Sequence, residues 1–164
     1  MTQDFNCILS IGSNLEDRSL NLRTAYQLIE EKVGPISRKS SVYESEAWGE
    51  ENQPCFLNQI ILAQTDLDPF QLLDALKSIE VEMGRKKNTR WASRNIDLDI
   101  LFYEDQVIRT KELIIPHKEI QNRNFILVPL VEVLPEFIHP VSKKSIRSLY
   151  LKCKDQLDVY LNEI

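Results

Sequence analysis

Arg90-Trp91-Ala92-Ser93-Arg94-Asn95-Ile96-Asp97-Leu98-Asp99-Ile100-Leu101-Phe102-Tyr103 is the stretch on which the reading of this chain turns. From Ile96 onward, Ile96, Leu98, Ile100 and Phe102 alternate with Asp97, Asp99, Leu101 and Tyr103, the period-2 pattern of a strand. Two residues along a strand advance roughly 6.6–7 Å, and their side chains leave the same face. Asp97 and Asp99 therefore share a face of an otherwise apolar strand, where two carboxylates repel and are costly to desolvate. A divalent cation resolves that conflict, and hard oxygen ligands suit magnesium. Arg85, Lys86, Lys87, Arg90 and Arg94 lie directly upstream, more cations than two carboxylates require. A carboxylate pair beside such a cluster suits a polyphosphate with bound magnesium. A solvated strand end with salt-bridged aspartates is the competing reading.

Working outward, Phe5 to Ile11 is a short apolar run that ends at Gly12-Ser13-Asn14, a strand and a turn. Leu22, Ala25, Tyr26, Ile29 and Val33 repeat at helical spacing until Gly34-Pro35 stops them. Ile36 to Trp48 reads as one strand fraying into a loop over 49–54, and Phe56 to Leu67 as its antiparallel partner. Asp68-Pro69-Phe70-Gln71 is a helix start with an acidic cap, proline at the first helical position and glutamine three residues on. Leu72, Leu76, Ile79 and Met83 form that helix's apolar face, and Gly84 is its expected terminator. After the aspartate strand come a turn at Glu104-Asp105, short extended pieces at Val107-Ile108 and Leu113–Pro116, and a helix over Phe125–Leu134 despite Pro129. Ser145 to Leu161 reads as a C-terminal helical region. The order β-α-β-β-α-β predicts an α+β class, the ferredoxin-like sandwich: a mostly antiparallel sheet, helices on one face, the other face free for ligands, and extra C-terminal helices.

The bulk numbers bound the rest. The 164 residues suit a single domain, 1–164, able to bury about 70% of its unfolded surface. A net charge of −5 opposes a general nucleic-acid binder, so the basic segment is a local feature of an acidic body. Cys7, Cys55 and Cys153 form no Cys-x-x-Cys pair; Cys7 and Cys55 sit in apolar contexts, which predicts buried free thiols. His117 and His139 are the only histidines, too few for an ordinary structural zinc site. The start of the chain lacks a signal-peptide pattern and no apolar run reaches membrane length, so a cytoplasmic location without membrane contact is expected. The four glycines fall at element boundaries and build no phosphate-cradling loop, so side chains and metal must hold any nucleotide.

Arg90 through Leu101 resembles, at every position, the signature of the 6-hydroxymethyl-7,8-dihydropterin pyrophosphokinase family of folate biosynthesis. Ile11-Gly12-Ser13-Asn14-Leu15, Phe56-Leu57-Asn58, Glu80 through Arg85, Ile115-Pro116-His117, Asn122-Arg123-Asn124-Phe125 and Pro129-Leu130 extend the likeness collinearly from about Ile8 to Pro140. The resemblance implies a kinase-type transferase that moves pyrophosphate from ATP to the pterin alcohol and releases AMP, with two magnesium ions. It implies Asp97 and Asp99 as metal ligands and Arg85 and Arg94 as catalytic groups on the triphosphate. It further implies ATP contacts from Glu80, Arg85, Lys87, Trp91, Arg94, Ile100, His117 and Arg123. The pterin would be held by Ser45, Trp48, Phe56, Asn58, Asp97 and Phe125, the two phenylalanines sandwiching its ring. Partners would be those two small substrates alone, with no nucleic acid or membrane, and the protein a monomer. Two departures stand out. The segment 85–91 is short by about one residue, with lysines where arginine is usual, and the pterin loop reads Tyr43-Glu44-Ser45-Glu46-Ala47-Trp48 without the usual Thr-Pro. A nucleotidyl transferase attacking the α-phosphorus and an RNA-binding module reading bases with sheet aromatics are the rival functions.

Overall fold

The computed structural model describes residues 4–47, 52–84 and 95–163. Within them the chain forms an antiparallel sheet, four α-helices and a small two-stranded ribbon. Strand β1 (Cys7–Ser13) leads to helix α1 (Arg18–Lys32), capped by the Asp17 carboxylate, which accepts from Leu20 N. Strands β2 (Ile36–Lys39), β3 (Tyr43–Ser45) and β4 (Phe56–Ala63) follow, then helix α2 (Pro69–Glu82). The α2 start is the reciprocal box its sequence predicts: Gln71 N donates to Asp68 at 2.9 Å, and Asp68 N to the Gln71 side chain at 2.9 Å. Gly84, at φ +93, ends it as expected. Strand β5 (Asp97–Tyr103) carries the aspartates, β6 (Ile108–Arg109) pairs with β7 (Ile114–Ile115), and helices α3 (Asn124–Val133) and α4 (Ile146–Lys152) precede β8 (Val159–Leu161).

The main sheet runs β5-β1-β4-β3-β8, with β2 also paired to β4, and every pairing is antiparallel. All seven residues of β1 are buried, as its central place demands. One face carries Leu9, Ile11, Leu57, Ile61, Leu98 and Ile100 under α1 and α2, which contribute Leu22, Ile29, Leu72, Leu76 and Ile79. The opposite face carries Ile8, Ile60, Leu62, Leu101 and Phe102 against Ile126, Leu127 and Leu130 of α3 and Ile146 and Leu149 of α4.

Five expectations need correction. The second face is not free: α3 and α4 cover its apolar half, since Ile8, Ile60 and Leu62 point there and need burial. The alternation in β5 breaks at a bulge, where Ile8 pairs with Phe102 but Leu9 with Ile100. Leu101 is the extra residue, so Leu101 and Phe102 both enter the α3/α4 core while Tyr103 joins Leu98 and Ile100 on the other side. The strand expected over Ile36–Trp48 is cut at Ser40, whose hydroxyl accepts from Ile60 N at 2.9 Å in place of a ladder carbonyl. The C-terminal helical region ends at Lys152, because β8 adds to the outer edge of β3. Asp155 secures the intervening turn by accepting from Asn124 N at 2.9 Å. Of the thiols, Cys7 is buried as expected, and burial pushes it up to about 12; Cys55, ahead of β4, is exposed.

Candidate active site

The register of the sheet assembles the site. Gly12 of β1 lies between Asn58 of β4 and Asp97 of β5, and Ser10 lies between Ile60 and Asp99. Across β3, Tyr43 pairs with Asn58 and Ser45 with Phe56. Directly paired residues project to the same side, so Asp97, Asp99, Ser10, Gly12, Asn58, Phe56, Ser45 and Tyr43 share one face. That face is the one α3 and α4 cover only in part. A polar floor and an apolar core thus share a single sheet surface.

Each floor residue is held by chemistry legible in its surroundings. Asn58, 4% exposed, donates to the Ser45 hydroxyl at 2.8 Å, which satisfies a buried amide that an apolar strand could not. Gly12 keeps the middle of the floor bare: a Cβ there would sit 3.4 Å from Phe56 Cδ1 and 3.5 Å from Asn58 Oδ1. Beside the aspartates, Glu80 reaches from α2, almost wholly buried, and accepts from Leu98 N at 3.0 Å. Leu98 separates Asp97 from Asp99, so this carboxylate grips the backbone between the two. Asn95 donates to Met83 O at 2.9 Å, joining the two borders of the segment 85–94 at the upstream end of β5.

The remaining wall comes from the chain after β7. His117 N donates to Leu101 O, docking the wall on β5, and His117 Nδ1 accepts from Glu119 N at 3.1 Å. The ring proton therefore sits on Nε2. Burial first, then the charge of Arg123, depress the His117 pKa to about 4 against the opposing pull of Glu119 and Asp97, so the ring is neutral at pH 7. The Arg123 guanidinium lies 5.7 Å from the centre of the Phe125 ring, at the start of α3. A cleft of about 190 Å³ opens along β5 between Asp99, Ile100, Leu113, Ile114 and His117, with Leu73, Leu98, Glu112 and Lys118 completing it.

Of the residues singled out from sequence, the register places Asp97, Asp99, Asn58, Ser45 and Phe56 on one face. Ile100 and His117 line the adjoining cleft, and Phe125 and Arg123 pair at the head of α3. Glu80 borders the aspartates from behind, against backbone. Trp48, Arg85, Lys87, Trp91 and Arg94 lie outside the described residues. The sequence reads Gly12 as part of a turn after the first strand, whereas it lies inside β1, where a glycine signals a close approach. Sequence reasoning also missed Asn14, which donates to Gln53 at 3.1 Å and Pro54 O at 3.2 Å just ahead of Phe56.

The donor set fits magnesium. Two carboxylates share a face, and no group of three metal-ligating side chains gathers among the described residues. A hard cation that keeps waters and substrate oxygens in its shell needs no fuller protein cage. Two carboxylates at one end of the face, a buried amide at the other and a glycine between them leave room for a flat, hydrogen-bonding ligand beside a metal ion.

Comparison with known proteins agrees. The family described as 7,8-dihydro-6-hydroxymethylpterin-pyrophosphokinase (HPPK) matches residues 8–135. The chain is 45% identical over 139 residues to the 2-amino-4-hydroxy-6-hydroxymethyldihydropteridine pyrophosphokinase of Aquifex aeolicus, covering 85% of this chain and 86% of that protein. It is 40% identical over 126 residues to the enzyme of the same name from Bacillus subtilis, covering 76% and 75%. A crystal structure of wild-type Plasmodium falciparum HPPK-DHPS with pteroate shares the fold, with a TM-score of 0.72 at 21% identity over 89% of this chain. The chain spans only 44% of that longer protein. This chain belongs to the 7,8-dihydro-6-hydroxymethylpterin-pyrophosphokinase family.

Proposed function

We infer that this chain transfers a pyrophosphoryl group from ATP to 6-hydroxymethyl-7,8-dihydropterin, releasing AMP, as a magnesium-dependent step of folate biosynthesis. The observation that carries the reading is the shared face of Asp97, Asp99, Gly12 and Asn58 in a member of this family. Asp97 and Asp99 hold the metal, the family's two magnesium ions being expected. When bound, magnesium neutralises phosphate charge and lowers the alcohol's pKa. Asn58 reads the hydrogen-bonding edge of the pterin, Ser45 steadies its amide, and Phe56 and Phe125 take the ring between them, with Trp48 and Asp97 at its margins. Ile100 meets the adenine, while His117 offers its Nε2 proton to a phosphate or ribose oxygen and stays uncharged in doing so. Arg123, Arg85 and Arg94 would neutralise phosphate charge, and Glu80, Lys87 and Trp91 are the further ATP contacts the family likeness implies. The hydroxymethyl oxygen attacks the β-phosphorus and AMP departs, with no protein nucleophile.

The sheet order supports a ferredoxin-like core: it is the order expected when β2 and β3 are taken as one interrupted strand. We read the chain as one domain, a monomer in the cytoplasm. No helix among the described residues is long and apolar enough to cross a membrane. The decisive assay follows AMP with magnesium and the pterin each supplied or withheld. AMP formed only when both are present is expected. Pyrophosphate release, or AMP formed without the pterin, would overturn the reading in favour of nucleotidyl transfer or plain hydrolysis.

A further inference from the structure

Glu132 stands on the last turn of α3, outside every residue assigned to the reaction. Its carboxylate gathers three donors from the strand region on the far side of the pocket. Ser41 N lies 3.0 and 3.1 Å from its two oxygens, the Ser41 hydroxyl 2.7 Å from Oε1, and the Tyr43 hydroxyl 2.7 Å from Oε2. These contacts join segments about ninety positions apart in sequence.

The two segments carry opposite walls of the pterin pocket. Phe125 is on the first turn of α3, seven residues before Glu132 and about 10 Å away along the helix. Ser45 is on β3, two residues beyond Tyr43, and accepts from Asn58. Their attachments differ. Helix α3 is rooted by Ile126, Leu127 and Leu130 over the centre of the sheet. Strand β3 has only three residues, lies outboard of β4, and has as its other neighbour the three-residue β8. Short edge pairing of this kind is weak by itself.

We propose that Glu132 is a positioning residue for the pterin: by clamping Ser41 and Tyr43 to α3 it sets the gap between Phe125 and the Ser45–Asn58 pair. The proposal rests on the pterin reading of that pocket. A carboxylate suits the task, because two acceptor oxygens can take three donors with no proton of their own to place. The side chain lies at the surface, so its removal should spare the core and act on geometry.

The test compares Glu132→Ala and Tyr43→Phe with wild type. Binding of the pterin is followed by fluorescence in the presence of a non-hydrolysable ATP analogue, binding of the analogue alone is measured separately, and the side-chain amide resonances of Asn58 are recorded in the ligand-free protein. Glu132→Ala should weaken pterin binding about tenfold, the usual scale for removing a group that orients a contact residue. Analogue binding should stay within about twofold, and the Asn58 resonances should shift as Ser45 moves. Tyr43→Phe should act in the same direction and less strongly. Unchanged pterin affinity in Glu132→Ala, or equal weakening of both ligands, would overturn the proposal. Because the Asn58 resonances need no ligand, they separate the two readings. A wild-type protein that binds no pterin refutes the pocket assignment, whereas static Asn58 resonances in Glu132→Ala refute the clamp.

Discussion

Replacing Gly12 with alanine should make the protein slightly more stable and markedly worse at holding its pterin. The added Cβ meets Phe56 Cδ1 at 3.4 Å and Asn58 Oδ1 and Leu57 O at 3.5 Å, all ordinary contact distances. Gly12 lies in a regular strand and is not among the residues of positive φ, so alanine fits its backbone. Losing glycine's freedom in the unfolded chain is worth about 0.4–1 kcal/mol in favour of the fold. The methyl projects onto the floor between Asn58 and Asp97, where a flat ring must lie to reach from one to the other. Forcing one extra methyl into a close-packed contact costs about 1–3 kcal/mol. By the usual conversion of tenfold per 1.4 kcal/mol, pterin affinity should fall about fivefold to 150-fold. ATP, which on the proposed reading meets Ile100 in the β5 cleft, should bind as before. Calorimetric melting and fluorescence titration with the pterin, in the presence of a non-hydrolysable ATP analogue, read the two effects separately. A raised melting temperature with unchanged pterin affinity would show that the substrate does not cross Gly12.

Replacing either Asp97 or Asp99 with alanine should abolish AMP formation and change stability by no more than about 1 kcal/mol, since both side chains sit on the polar half of the face; activity restored by excess magnesium would remove them from the metal site. Glu80→Ala takes the side-chain acceptor from buried Leu98 N, so unfolding free energy should drop by about 1–3 kcal/mol and the magnesium requirement should rise. Glu80→Gln keeps an acceptor and should recover most of both; urea unfolding and magnesium titrations that leave the two variants alike would refute the backbone grip. His117 is held at about 4 in the fold against 6.5 ordinarily, so between those pH values the unfolded chain takes up a proton that the folded chain refuses. Stability from this group is full above pH 6.5 and declines on acidification, by on the order of 3 kcal/mol near pH 4. On acidification from pH 7 to 4.5, urea midpoints should therefore fall more steeply for wild type than for His117→Gln, and parallel curves would contradict the burial argument.

The β-α-β-β-α-β order could be read from residues because each signal was local: the Asp68–Gln71 box, Gly84 and the alternating Asp97–Ile100 run each act within a few positions. The bulge at Leu101 could not, since Leu101, Phe102 and Tyr103 are all apolar-bodied and any register over them satisfies the pattern. Nor could β8, whose three residues become a strand only when β3 lies alongside. The site divides in the same way. Asp97, Asp99 and Asn58 announce themselves as polar residues in apolar strands, whereas Glu132 is an acid on the outer side of a helix and looks like many others. Its value lies in Ser41 and Tyr43, which only the folded chain brings within reach.

Strand β1 is made first, yet both of its neighbours are made late. Cys7 pairs with Ala63 on one side and Tyr103 on the other, and all seven residues of the strand are buried in the folded protein. A chain emerging from the ribosome at roughly 5–20 residues per second carries this sticky segment exposed for roughly 5–20 s before its last partner exists. The central place of β1, which lets Gly12 stand between Asn58 and Asp97, thus postpones sheet closure until β5 has been made. During that interval the nascent chain depends on chaperones, or on rapid docking of α1, to keep β1 from pairing with another molecule.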